Sequence, residues 1–226
     1  MPGKAALSRS QPAEGGARLE GVLGQIVILN GAPRSGKSSI ARVVQETFEG
    51  PWMNLGVDVF CRQVTPPRFR PGIGLRPGGE RPDLEGVVPA FYAAMYDSIA
   101  AHSRHGLNVV ADVDHHDAYS RPLGVLPECA RRLKGLPVLW VGVRCPVEVI
   151  WERRGETWAQ HFEEADDDLR AAVERWQHEV HAHGPYDLEV DTSTMGPEEC
   201  ARLIAVRLAE GPPGTAFARL PQGLSR

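Results

Sequence analysis

Apolar positions along this chain alternate between two periods. Five short, mostly apolar runs, at Gln25–Asn30, Trp52–Gly56, Asn108–Asp112, Val138–Val143 and Asp187–Asp191, have the length and composition of strands buried in a parallel sheet. Between them apolar residues recur at helical spacing. Ile40, Val43, Val44 and Thr47 define one face of a first helix. Pro146 and Pro197 stand where a first helical turn tolerates proline, which predicts helices to about Arg154 and about Leu208. A longer stripe, Trp158, Phe162, Ala165, Leu169, Val173, Trp176 and Val180, predicts a core-facing helix whose other side carries Glu163, Glu164, Asp166, Asp167 and Asp168 in solvent. Strand and helix in alternation mean parallel βαβ units.

Residues 1–23 and 211–226 are rich in small residues and Pro and read as mobile tails around one domain over 24–210. The segment from Cys61 to Pro82 interrupts the alternation with prolines, glycines and arginines. It reads either as a substrate-binding loop or as a solvated insertion. The net charge of −4 supplies no field to attract nucleic acid or an anionic membrane, so neither is an expected partner. Cys61, Cys129, Cys145 and Cys200 form no C-x-x-C pair, and no run approaches a membrane span or the apolar core of a signal peptide. Reduced thiols in a cytoplasmic protein are expected.

Chemistry concentrates at strand ends. Gly31, Ala32, Pro33, Arg34, Ser35, Gly36, Lys37 and Ser38 fit the G-x-x-x-x-G-K-[ST] phosphate loop in its required place, after a strand and before a helix. Backbone N–H groups here and at Ser39 would cradle a polyphosphate at the positive end of the helix dipole. Lys37 would neutralise the β and γ phosphates, and Ser38 would hold Mg²⁺. Asp112 closes an apolar strand as a Walker B carboxylate does, a second Mg²⁺ contact. Asp58 ends the second run after Gly56-Val57, where it either takes the proton of an attacking hydroxyl or caps the following helix. His115 and His116 follow Asp112 and admit metal ligation or substrate contact, and His178, His181 and His183 cluster later and admit metal ligation or a polar contact.

Taken together, Ile28 to Ser38, Pro51-Trp52, Gly56-Val57-Asp58, Leu139 to Cys145, Val180-His181 and Tyr186 to Thr192 resemble the chloramphenicol phosphotransferase family, with gaps, from about Gly24 to about Leu208. The resemblance implies a P-loop kinase fold, a three-layer αβα domain with a five-stranded parallel sheet. It implies ATP and Mg²⁺ as cofactors, a small-molecule hydroxyl as acceptor, and antibiotic resistance as the role. It also assigns Asp58 as general base. Family members carry an arginine-rich lid resembling Arg-Gly-Asp-Arg, whereas Trp151 to Trp158 here matches it only at Arg153 and Arg154; Arg170 and Arg175 are further candidates. The competing readings are a kinase of a nucleoside or sugar nucleotide, and a nucleotide-dependent switch, for which no Asn-Lys-x-Asp guanine motif occurs. Self-association into a homo-oligomer is compatible with the sequence.

Overall fold

The computed structural model describes residues 22–158, 167–211 and 213–220. In chain order these form β1 (Ile26–Asn30), α1 (Lys37–Thr47), β2 (Trp52–Asn54), α2 (Val57–Val59), α3 (Pro82–Glu85), α4 (Val88–Arg104), β3 (Asn108–Val113), α5 (Val125–Arg132), β4 (Val138–Arg144), α6 (Val147–Trp158), α7 (Asp167–Glu179), β5 (Leu188–Asp191), α8 (Pro197–Glu210) and α9 (Ala216–Arg219). All strand pairs are parallel, in the order β2-β3-β1-β4-β5. Every residue of β1 is buried, because it lies centrally with helices on both sides.

Alternate strand residues feed two separate cores, as the two-residue strand period requires. Ile26, Ile28, Val109, Ala111 and Trp140 face α4, α5 and α9. Val27, Leu29, Val110, Leu139 and Val141 face α1 and α8. The domain is therefore a three-layer αβα sandwich of the P-loop kinase type. The second strand is shorter than expected and ends at Asn54, since the chain must turn at Gly56 toward Asp112. Thr47, placed by its spacing on the apolar face of α1, is exposed and donates instead to Val43 O at 2.7 Å. The hydroxyl makes its own local bond in place of packing.

Three regions differ from the sequence reading. Helix α4, for which no pattern was singled out, buries Val88, Tyr92, Met95, Tyr96 and Ile99 at helical spacing. The segment from Cys61 to Pro82 is built of a π-helical turn (Phe60–Val64) and 3₁₀ turns (Pro67–Phe69 and Gly72–Gly74), with Ile73 and Leu75 in the core. It is pinned to the loop after β3 by Gly78 N donating to Ala118 O and by the Glu85 carboxylate accepting from Ser120. The C-terminal stretch, expected to be mobile, packs over 213–220. Phe217 is buried with its ring centroid 5.1 Å from that of Trp140, and Asp187 Oδ1 accepts from Thr215 N and Ala216 N. Of the long stripe, Val173 and Val180 are buried as expected, whereas the side chains of Trp158, Phe162, Ala165, Leu169, Glu163, Glu164, Asp166, Asp167 and Asp168 lie outside the described residues.

Candidate active site

The phosphate loop leaves the carboxyl end of β1 and enters α1 through Gly36, whose φ of 92° lies in the left-handed region open to glycine. Lys37 is 8% exposed, and its Nζ donates to Gly31 O at 2.7 Å and Ala32 O at 2.8 Å. Burial lowers its pKa, and Asp114, Asp112 and Asp58 oppose that shift. Ser35 Oγ is buried with no hydrogen-bond partner among the described residues, a free donor inside the loop.

Ser38 Oγ donates to Asp112 Oδ2 at 2.6 Å. This brings together the two expected metal contacts, a hydroxyl and a carboxylate at the mouth of the loop, which suit Mg²⁺ completed by phosphate oxygens and water. A Cβ on Gly56 would overlap the Asp112 carboxylate, so glycine at this position lets the second strand's exit close against Asp112.

Asp58 follows on the first turn of α2. Gly56 occupies the N-cap and no side chain caps the turn, so the Asp58 carboxylate is left to the cavity. It is largely exposed and sits 3.8 Å from Arg62 Nη2. With Lys37, Ser38, Asp112 and Asp114 it lines a cavity of about 320 Å³. A second cavity of about 470 Å³ lies on the other side of the loop, between Gly36, Lys37, Arg153, Thr192 and Gly196. Arg34, at a φ of 69°, lines both.

Arg153 braces the wall of the larger cavity. Its Nη2 donates to Thr192 O at 2.7 Å, and its Nη1 donates to Thr192 Oγ1 at 3.1 Å and to Arg34 O at 3.3 Å. Thr192 Oγ1 in turn donates to Ser35 O at 2.7 Å, so α6, phosphate loop and β5 exit form one network. The Arg154 side chain lies outside the described residues. Arg170 pairs with Glu174 on the surface, and Arg175 lies against Gly78 in the segment after α2.

The histidines make polar contacts within the fold. His115 is buried with its Nε2 2.7 Å from Tyr96 OH and its ring stacked on Tyr92, and burial pushes its pKa well down. His116 Nε2 lies 2.8 Å from Leu75 O, which ties the β3 exit to the irregular segment. His181 Nδ1 meets Tyr186 OH at 2.7 Å, and burial pushes the ring down to about 4. His183 faces Asp117 at 3.6 Å, whereas His178 is exposed. Among the described residues no three His, Cys, Asp or Glu side chains converge as metal ligands.

One residue was not singled out by the sequence reading. Asp114 is 8% exposed, and burial pushes its carboxyl up to about 7; Lys37 opposes this while Asp58 and Asp112 add to it. The signal was the spacing Asp112-x-Asp114, which puts both on one side of an extended chain.

Fold and site together define a kinase-type phosphotransferase that binds a nucleotide on a phosphate loop. The chain belongs to the chloramphenicol phosphotransferase-like family, whose pattern matches residues 24–209. It is 30% identical over 223 residues to a Mycobacterium tuberculosis (strain H37Rv) protein named as an O-phosphotransferase, covering 87% of this chain and 88% of the relative. The fold is also shared with an APS kinase of Mycobacterium tuberculosis solved with AMPPNP and APS, at a TM-score of 0.53, 14% identity and coverage of 83% and 99% of the two chains. A gluconokinase from Sinorhizobium meliloti 1021 gives a TM-score of 0.53, 16% identity and coverage of 83% and 92%. Among the described residues no helix is long and apolar enough to cross a membrane.

Proposed function

We propose that the protein transfers the γ-phosphoryl group of ATP to a hydroxyl of a small, antibiotic-like molecule in the cytoplasm. The observation that carries this reading is the shared cavity. Asp58, uncommitted to helix capping, opens onto the same space as Lys37, Ser38 and Asp112.

In this reading the acceptor hydroxyl gives its proton to Asp58 as its oxygen bonds to the γ phosphorus. The bond from that phosphorus to the β–γ bridging oxygen breaks, and ADP leaves. Lys37 exchanges the carbonyls of Gly31 and Ala32 for phosphate oxygens, and Arg34 stands where charge develops. Mg²⁺, held by Ser38 and Asp112, would neutralise phosphate charge. The nucleoside rests in the larger cavity beside Arg153 and Thr192.

The test is an ADP-release screen of hydroxylated antibiotics and nucleosides with mass analysis of the products. Acceptor-dependent ADP release, with one phosphoryl group added to an antibiotic-like alcohol, is expected. Nucleotide binding without transfer to any alcohol would leave a switch, and transfer confined to nucleosides would move the acceptor class.

A further inference from the structure

We propose that Asp114 anchors the acceptor through a second hydrogen-bond donor, so that the substrates are polyols or amino alcohols and not compounds with a single hydroxyl. The inference rests on the phosphotransferase reading and adds the substrate class.

Two observations carry it. First, Asp114 Oδ1 is buried and has no hydrogen-bond partner among the described residues. A desolvated carboxylate oxygen left unpaired costs free energy that a donor from a ligand would recover. Second, Asp114 shares the smaller cavity with Asp58, and both lie at the carboxyl edge of the sheet, where open α/β folds bind their ligands.

The irregular segment, α4 and the β3 exit are tied together beside this end of the sheet, since Tyr92 OH donates to Ile73 O at 3.1 Å and His116 Nε2 lies 2.8 Å from Leu75 O. A molecule presenting one hydroxyl to Asp58 and a further O–H or N–H to Asp114 would be held at two points, which fixes the attacking oxygen as well as binding it. The two carboxylates then divide the work. Asp58 takes the proton, and Asp114 orients.

The test titrates wild type and Asp114→Asn with myo-inositol, 2-deoxystreptamine and cyclohexanol, each with and without AMP-PNP and Mg²⁺. Asp114→Asn removes a buried charge and keeps the shape, and its thermal midpoint and AMP-PNP affinity report on the integrity of the fold. If that variant is misfolded, Asp114→Ser is used. The expected result is that at least one cyclitol binds wild type, cyclohexanol does not, and the substitution weakens the cyclitol about tenfold or more. Response to both cyclitols identifies hydroxyl donors, and response to 2-deoxystreptamine alone identifies an ammonium. Equal cyclitol binding by the variant, no cyclitol binding to wild type, or cyclohexanol binding as tightly as the cyclitols would overturn the proposal. Failure of AMP-PNP to bind wild type would instead overturn the phosphotransferase reading, and the titrations without nucleotide still decide the role of Asp114.

Discussion

Ser38 Oγ and Asp112 Oδ2 lie 2.6 Å apart, which joins the first turn of α1 to the end of β3 across the mouth of the phosphate loop. The backbone of Gly56 closes over the other oxygen of the same carboxylate, so Asp112 has little freedom. Asp112→Asn keeps the shape and removes one negative charge from the proposed metal site. Half-saturation of transfer should then need about tenfold more Mg²⁺ or beyond. An unmoved Mg²⁺ titration would make Asp112 a structural strap between α1 and β3.

Arg153 is bound up in backbone contacts, with its guanidinium on Thr192 O, Thr192 Oγ1 and Arg34 O. Arg153→Ala should therefore deform the nucleotide cavity more than it disturbs the reacting atoms. KM for ATP should rise about tenfold while kcat stays within about threefold. A fall in kcat larger than the rise in KM would show instead that this arginine reaches the transferring phosphoryl group.

The phosphate loop and the strands could be read from the chain because each is a local pattern. The loop is a contiguous octapeptide, and a buried parallel strand announces itself by composition. Asp114 could not be valued in the same way, since the facts that matter are its burial and its missing partner, both created by distant segments. The Trp158–Val180 stripe correctly placed Val173 and Val180 inside. Helix α4 escaped because its apolar face is diluted with Ala and Ser and follows a run of Pro and Gly, so flanking composition masked a regular spacing. Phe217 was missed for a related reason. A lone aromatic in a Gly- and Pro-rich tail carries no period, and only the facing rings of Tyr96 and Trp140 show that it belongs to the core.

That aromatic contact gives a stability prediction. Phe217 is 2% exposed, and Phe217→Ala removes a full ring from between α4 and β4. The cost should be about 3–5 kcal/mol, measured by urea unfolding. A loss near zero would mean that α9 detaches readily and that the domain is complete without it.

Stability should also depend on pH through His181. Its native pKa is pushed down to about 4 from an ordinary value of 6.5. Between these values the unfolded chain holds more protons than the native state, so stability is lost as pH falls from about 6.5 to about 4. Buried His115 and His116 act in the same direction. Asp114, held up to about 7, acts in the opposite direction, because the native state there holds the extra proton. Comparing wild type with His181→Gln isolates the histidine. The variant should lose about 1 kcal/mol less between pH 7 and pH 5, allowing for partial solvent access to the ring. Parallel curves for the two proteins would show that the ring protonates without penalty.

Asp58 carries the sharpest prediction, since it separates catalysis from binding. The residue is exposed, makes no cap and pairs only loosely with Arg62 at 3.8 Å, so the fold draws little from it. Asp58→Asn preserves size and hydrogen-bonding reach but cannot accept a proton at neutral pH. Acceptor phosphorylation should fall by about 10²-fold or more, while nucleotide affinity stays near that of wild type because Lys37, Ser38 and the loop backbone are untouched. Arg62→Ala provides the companion measurement. If the pair restrains the carboxylate, its removal should alter transfer by less than about tenfold without affecting nucleotide binding. Nucleotide titration beside acceptor-dependent ADP release reads both variants. Full transfer by Asp58→Asn would remove the general base from this carboxylate and leave proton removal to another group at the strand ends.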